Sequence, residues 1–411
     1  MSVESASVVV TGLGAVTPLG KNASLSWRNL LEGRWVVGPV TLFDTEGCHS
    51  HVASEVHPLP ELEISAKTCS RLPRASRLAL PAAHEALAMA GLWPRDLGRG
   101  LLELPLVLST TGGGMAFGET FLRLSYQRGR VRGRLPLVAR YQPQQQVLDL
   151  QEHLGFQGPS VVLANACASG SNAIGHAADW IRSREVDCVL VGGVEALSEL
   201  IFVGFDSLQT LSPDLCRPFD RNRKGLILGE ASAFVVLESQ EHALSRGIRP
   251  LCYVSGYGHL TDLYHLTQPS PDGSALIGAL DQAVKQAKLP PEAIGYVNAH
   301  GTGTPANDLM EAWAYYRFFG EAFHQLRVSS TKAAIGHSLG ASGCVEAVFS
   351  ILALVTRQLP PQILCEDPME PMGPILVRKS ETLRPGASVA SVNLGFGGSN
   401  AALLFSPYEP Q

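Results

Sequence analysis

The chain is poor in charge: 17% of its 411 residues are Asp, Glu, Lys or Arg, and 32 basic against 37 acidic side chains leave a net charge of −5. It has neither the basic excess nor the polybasic tail that would argue for nucleic acid or an anionic membrane as a partner. No stretch reaches about 18 uninterrupted apolar residues, and the N-terminus lacks a basic segment followed by a long apolar one, so a cytoplasmic protein without a membrane partner is expected. Eight cysteines, at 48, 69, 167, 188, 216, 252, 344 and 365, form no C-x-x-C pair, which argues against both a zinc site and a disulfide framework. Low-complexity linkers are missing as well. Apolar residues are plentiful, at 45%, with 41 glycines, and this composition excludes disorder. The length suits two or three domains, or one duplicated α/β unit whose halves pack as a single body.

Short β-branched runs alternate with helical stretches. Strands are expected at Val8–Thr11, Leu104–Ser109, Ser160–Ala164, Cys188–Gly192 and Ala231–Leu237, with helices at Arg77–Ala90 and Ala168–Ile181 and a glycine turn at Gly192-Gly193. The order then restarts: strands Leu251–Gly256, Gly295–Asn298, Arg327–Ser330, Ser388–Asn393 and Ala401–Phe405, and helices Ser274–Lys288, Asp308–Phe319 and Ala341–Thr356. Two halves, residues 1–250 and 251–411, are expected. A short echo accompanies them, Ala173-Ile174-Gly175-His176 against Ala334-Ile335-Gly336-His337. Ser125 to Gln146, rich in Arg, Gln and Pro, reads as a surface excursion of the first half.

Four segments carry chemistry. In Asn165-Ala166-Cys167-Ala168-Ser169-Gly170-Ser171 a cysteine sits between a strand and a small-residue helix, where N–H groups and the helix dipole favour thiolate. Taken alone, such a cysteine is more often a buried hydrophobe. In Asn298-Ala299-His300-Gly301-Thr302-Gly303-Thr304 a histidine leaves a strand into a turn with two hydroxyls, and strand-end loops are where α/β proteins place functional groups. Ser330-Thr331-Lys332-Ala333-Ala334-Ile335-Gly336-His337 adds a second histidine and a cation, whose small surroundings argue for burial with carboxylates such as Asp308 and Glu311. Asn393-Leu394-Gly395-Phe396-Gly397-Gly398 is a glycine turn between strands, with no strand–GxGxxG–helix unit to make it a nucleotide site. A cysteine hydrolase would leave the second histidine and the lysine idle. An acyl thioester on Cys167 attacked by an enolate needs donors for two oxyanions, and two histidines suit the second.

These four segments, with Val10-Thr11-Gly12-Leu13-Gly14, Arg217-Pro218-Phe219-Asp220 and Leu228-Gly229-Glu230, resemble the β-ketoacyl-acyl carrier protein synthases of the thiolase superfamily over essentially the whole chain. The resemblance implies a thiolase-like five-layer α-β-α-β-α fold made of two duplicated halves and a decarboxylative Claisen condensation with malonyl carrier, in fatty acid or polyketide and polyene synthesis. It implies Cys167 as nucleophile, His300 and His337 as neutral donors, Lys332 as organiser with Asp308 and Glu311, and an oxyanion hole of the Cys167 and Phe396 N–H groups. Thr302 and Thr304 would hold the phosphopantetheine arm of the acyl carrier protein. No separate cofactor or catalytic metal is implied. Asn298, Glu346 and Asn393 fall where some relatives bind a structural monovalent cation.

Departures from the family pattern concern the substrate. Gly112 stands where a bulky aliphatic often floors the acyl pocket, so a deeper pocket is expected, for a chain longer, stiffer or bulkier than a growing saturated fatty acid. Leu394 replaces a common phenylalanine, Lys224 an acidic residue, and Arg128–Tyr141 follows no usual pattern. Arg71, Arg74, Arg77, Arg128, Arg130, Arg132 and Arg134 are candidates for docking an acidic carrier. The resemblance also implies a dimer, either a homodimer or a heterodimer with a chain-length-factor-like subunit. A noncatalytic partner subunit would normally lack the cysteine, a thiolase would need a second cysteine near the C-terminus, and a pure binding module would leave the nucleophile set unexplained.

Overall fold

The computed structural model describes residues 5–93, 101–128 and 133–409, the side chain of Arg128 excepted. Ten strands form one sheet: β1 Val8–Val16, β2 Leu106–Ser109, β3 Ser160–Leu163, β4 Cys188–Glu195, β5 Ala231–Ser239, β6 Cys252–Thr261, β7 Ile294–Asn298, β8 Arg327–Ser329, β9 Ser388–Gly395 and β10 Ser399–Pro407. Their spatial order is β8-β7-β9-β10-β6-β1-β5-β4-β2-β3. Read outward from the middle, both halves give the same sequence of pairings: antiparallel, antiparallel, parallel, parallel. The halves join through a short antiparallel register, Val9 opposite Tyr253 and Val10 opposite Cys252. The duplication is therefore topological.

The helices used below are α1 Arg74–Met89, α2 Met115–Arg128, α3 Leu135–Tyr141, α4 Gln144–Leu154, α5 Ser169–Arg182, α6 Glu199–Ser207, α7 Ser274–Ala287, α8 Pro305–Phe319 and α9 Ser342–Thr356. Helix α1 covers the first half-sheet and α7 the second, while α5 and α9 lie between and touch strands of both. The chain thus has the five-layer α-β-α-β-α arrangement. Strands β1, β4, β5 and β9 are almost wholly buried, because each is covered on both faces. The stretch Leu339–Thr356 is long and apolar enough to cross a membrane, yet it is 83% buried as the central helix.

Three expectations change. Gly192 and Gly193 lie inside β4 rather than in a turn: the Phe234 ring and the Ala341 backbone lie where their side chains would be. The four-residue echo does not mark the duplication, since Ala173–His176 is mid-α5 whereas Ala334–His337 precedes α9. The Ser125–Gln146 excursion does lie at the surface, with only Gln146 fully buried among its described side chains, but it is mostly helical, in α2, α3 and α4, rather than irregular.

Candidate active site

The nucleophile turn and the second histidine meet because α5 and α9 cross at glycine. A Cβ on Gly170 would lie 2.5 Å from the Cys344 nitrogen, and one on Gly343 would lie 2.2 Å from that of Ser171. Only bare backbone permits this approach. It sets Cys167, in the turn Ala166–Ala168 before α5, close to His337, which precedes α9. His300 arrives from the end of β7, with its ring centroid 5.4 Å from that of His337 and the planes nearly perpendicular. Cys167, His300, His337, Thr302, Thr304 and Phe396 line one cleft of about 290 Å³.

Each polar member is held. The His337 Nδ1 lies 2.8 Å from the Ser342 hydroxyl and accepts the Leu339 N–H at 3.2 Å. A lone pair on Nδ1 puts the proton on Nε2. The His300 Nδ1 is buried without a partner among the described residues, so the protein does not fix its tautomer. Burial, reinforced by the Lys332 charge, holds both imidazoles well below their ordinary range and therefore neutral at pH 7.

Burial also pushes the Cys167 thiol up to about 12, against the opposing pull of Lys332 and the Phe396 N–H. The helix end favours thiolate as expected, but desolvation at a cysteine that is only 5% exposed outweighs it. Cys167 packs in an apolar cluster with Leu197, Phe202, Leu226 and Leu339. The Phe396 ring stacks on Phe205 of α6, with centroids 5.6 Å apart.

Lys332 is fully buried, but its partner is Glu346, with Nζ donating to Oε1 at 2.5 Å. Asp308 and Glu311, expected beside it, are fully buried and Glu311 feels the Lys332 charge, but both use their oxygens to cap backbone rather than to pair with the ammonium. Glu311 accepts the N–H groups of His300 and Gly301 at 2.7 and 2.8 Å, and Asp308 those of Phe219 and Gly303 at 2.7 and 3.1 Å. Helix α8 thereby fixes the loop that carries His300. The Thr302 and Thr304 hydroxyls bond each other at 2.8 Å at the edge of the cleft. Asn298 donates to the Glu346 carbonyl, Asn393 donates to the Glu346 carboxylate, and Asn298 Oδ1 is buried without a donor among the described residues. The Asn298 Oδ1 is the free oxygen that a monovalent cation would take, whereas the Glu346 carboxylate is already shared between Lys332 and Asn393.

Other expectations move. Leu394 does line the cleft, but Gly112 does not. A Cβ there would meet Ile201 Cδ1 at 2.7 Å and Glu195 Oε1 at 3.0 Å, so those side chains occupy the room that the missing aliphatic was expected to leave. Arg74 is engaged in a bidentate ion pair with buried Glu230 and is no docking group. Arg71 and Arg134 are exposed and Arg77 is half-buried. Arg130, Arg132 and the Arg128 side chain lie outside the described residues. Lys224 lines the cleft mouth with its side chain 62% exposed. Phe205 and Ser342 were not foreseen, although a hydroxyl five residues after His337 was a readable signal.

The family models for the β-ketoacyl synthase N-terminal domain and C-terminal domain match residues 5–243 and 251–366. A 3-oxoacyl-[acyl-carrier-protein] synthase 2 of Staphylococcus aureus is 34% identical over 411 residues, covering 98% of each chain. The solved ishigamide ketosynthase/chain length factor superposes with a TM-score of 0.89 at 30% identity, covering 98% of this chain and 100% of that one. A type II polyketide ketosynthase solved with its acyl-carrier protein and a bound hexaketide gives 0.87 at 25% identity, covering 98% and 100%.

Proposed function

The chain belongs to the β-ketoacyl synthase family, and from that membership we propose how its residues divide the work of a decarboxylative Claisen condensation between an acyl thioester and malonyl-acyl carrier protein. The observation that carries the reading is the convergence of Cys167, His300 and His337 on one cleft beside a buried Lys332–Glu346 pair.

In the first half-reaction the Cys167 sulfur attacks the acyl thioester carbonyl. Its proton passes through an imidazole to the departing carrier thiol, because the resting thiol is not ionised. The oxyanion is met by the N–H groups of Cys167 and Phe396. In the second, the bond from the malonyl carboxylate to carbon breaks, carbon dioxide leaves, and the electron pair moves onto the thioester oxygen. Nε2–H of His337 and an N–H of His300 stabilise that enolate as neutral donors. The enolate carbon then attacks the acyl carbon, and Cys167 sulfur departs as a thiolate that takes a proton from solvent to restore the resting thiol. Lys332 balances Glu346, Asp308 and Glu311 position the His300 loop, and Thr302 and Thr304 hold the carrier's phosphopantetheine arm. A monovalent cation held by Asn298, Glu346 and Asn393 would be structural. We divide the chain at 250/251 and assign the enzyme to the cytoplasm, where its eight unpaired cysteines would stay reduced.

A second arrangement is favoured by the likeness to the ketosynthase/chain length factor: this chain, with its nucleophile intact, would be the catalytic member of a heterodimer. The test is to mix protein, acyl carrier and malonyl carrier and follow carbon dioxide and a β-keto product two carbons longer. Release of both, lost in His337→Ala, supports the assignment. Release unaffected by that substitution contradicts it.

A further inference from the structure

The roles above leave one buried carboxylate beside the nucleophile unused. Glu195 ends β4 at 1% exposure, and its two oxygens collect four donors. Oε2 accepts the N–H of Thr111 at 2.7 Å and that of Gly340 at 3.1 Å. Oε1 accepts the N–H of Gly112 at 2.7 Å and the Thr110 hydroxyl at 3.3 Å. No Lys, Arg or His side chain hydrogen-bonds to it among the described residues. Thr110–Gly112 continues from β2. Gly340 belongs to the turn directly after His337, one residue beyond the Leu339 N–H that donates to His337 Nδ1. The two segments press together so closely that a Cβ on Gly340 would lie 2.5 Å from the Thr111 nitrogen.

We propose that Glu195 is a positioning residue that clamps the Thr110–Gly112 segment to the turn after His337 and so sets the direction in which the His337 Nε2–H points at the developing enolate. The inference rests on the ketosynthase reading of the site. Two properties separate this clamp from ordinary loop packing. Its acceptors are all in use, so a single changed atom turns an attraction into a donor–donor clash. Its charge also reaches the cysteine, because the Glu195 carboxylate is one of the groups that raise the Cys167 thiol. The carboxyl itself is pushed up to about 7 by burial, against its four donors. The surrounding groups are the three N–H donors, the Thr110 hydroxyl, and Cys167 as the titratable group on which its charge acts.

Glu195→Gln keeps the shape and replaces one oxygen by NH2, which must face an N–H. The experiment uses full-length protein first acylated at Cys167 and then given malonyl carrier, with acylation and carbon dioxide release timed separately. We expect decarboxylation to fall tenfold or more while acylation changes less than threefold, and the pH dependence of Cys167 alkylation to move to lower pH because a neighbouring negative charge has gone. Equal loss in both half-reactions would mark a merely structural residue and overturn the proposal, as would decarboxylation at the native rate. Wild-type protein that takes up no acyl group would overturn the ketosynthase reading, and this inference with it. If Glu195→Gln fails to fold, Thr110→Val removes one donor and leaves the carboxylate. A threefold or larger loss confined to decarboxylation then supports the clamp, and an unchanged rate refutes it.

Discussion

Lys332→Met at pH 7.5 should destabilise the fold by about 4 kcal/mol, and the structure allows that figure to be built up. The ammonium and the Glu346 carboxylate are 2.5 Å apart and 1% and 2% exposed, so the lysine leaves behind a buried anion helped by one amide, from Asn393. The anion escapes by protonation. Glu346 ionises at its ordinary 4.5 once unfolded, and its pKa is raised in the fold because desolvation outweighs Lys332. Leaving a buried charge without its partner costs about 3–5 kcal/mol, and a group that takes up a proton instead loses about 1.4 kcal/mol per unit as pH climbs from the unfolded 4.5 toward 7.5. The folded state then binds one proton more than the unfolded state between those pH values, so stability falls as pH rises. The deficit of the variant should accordingly shrink by about 1.4 kcal/mol for each unit the pH is lowered toward 5. Lys332→Met with Glu346→Gln removes both charges and should recover about 2–3 kcal/mol of the loss. Urea unfolding of the wild type, both single variants and the double variant at pH 5.5, 6.5 and 7.5 measures all of this. Condensation should stay at least a hundredfold down in the refolded double variant, because the charge that helps keep His300 and His337 neutral is gone. A double variant no more stable than Lys332→Met, or a deficit that does not change with pH, would refute the reasoning.

Three further outcomes follow from the same geometry. Alkylation of Cys167 by iodoacetamide should rise tenfold per pH unit from 7 to 10 without levelling, since the thiol is raised from 9.0 to about 12; a plateau below pH 8 would mean a resting thiolate. Lys224→Glu, at the cleft mouth, should raise KM for the acidic carrier several-fold and flatten its salt dependence with kcat unchanged, and an unaltered KM would remove Lys224 from docking. Gly343→Ala inserts a methyl 2.2 Å from the Ser171 nitrogen, so loss of condensation together with a melting temperature several degrees lower is expected, and a native-like variant would contradict the helix crossing as the feature that assembles the site.

Much of this was legible in the residues themselves. Alternating β-branched runs and small-residue helices marked nearly every sheet strand, and each of the main motifs lay at the end of a strand or beside one. The sequence reading failed where spatial neighbours decide the outcome. Gly192 and Gly193 looked like a turn because a strand glycine is recognisable only through what packs on it, here Phe234 and Ala341. Helices α2 and α3 lack a buried apolar stripe, being largely solvated, and so gave little period to read. The partner of Lys332 was sought on α8 but comes from α9, fourteen residues downstream and one helix across. The Cys167 thiol was judged from its helix end alone, whereas its apolar neighbours come from distant segments of the chain.

The central claim is that Cys167 carries the acyl group and surrenders it to a malonyl-derived carbon. Intact-mass measurement of the purified chain after acyl carrier, and again after malonyl carrier, tests it most directly. The account predicts one acyl adduct on Cys167, absent from Cys167→Ala, that disappears on adding malonyl carrier as a product two carbons longer forms. An adduct elsewhere on the chain, or extension that persists in Cys167→Ala, would contradict it.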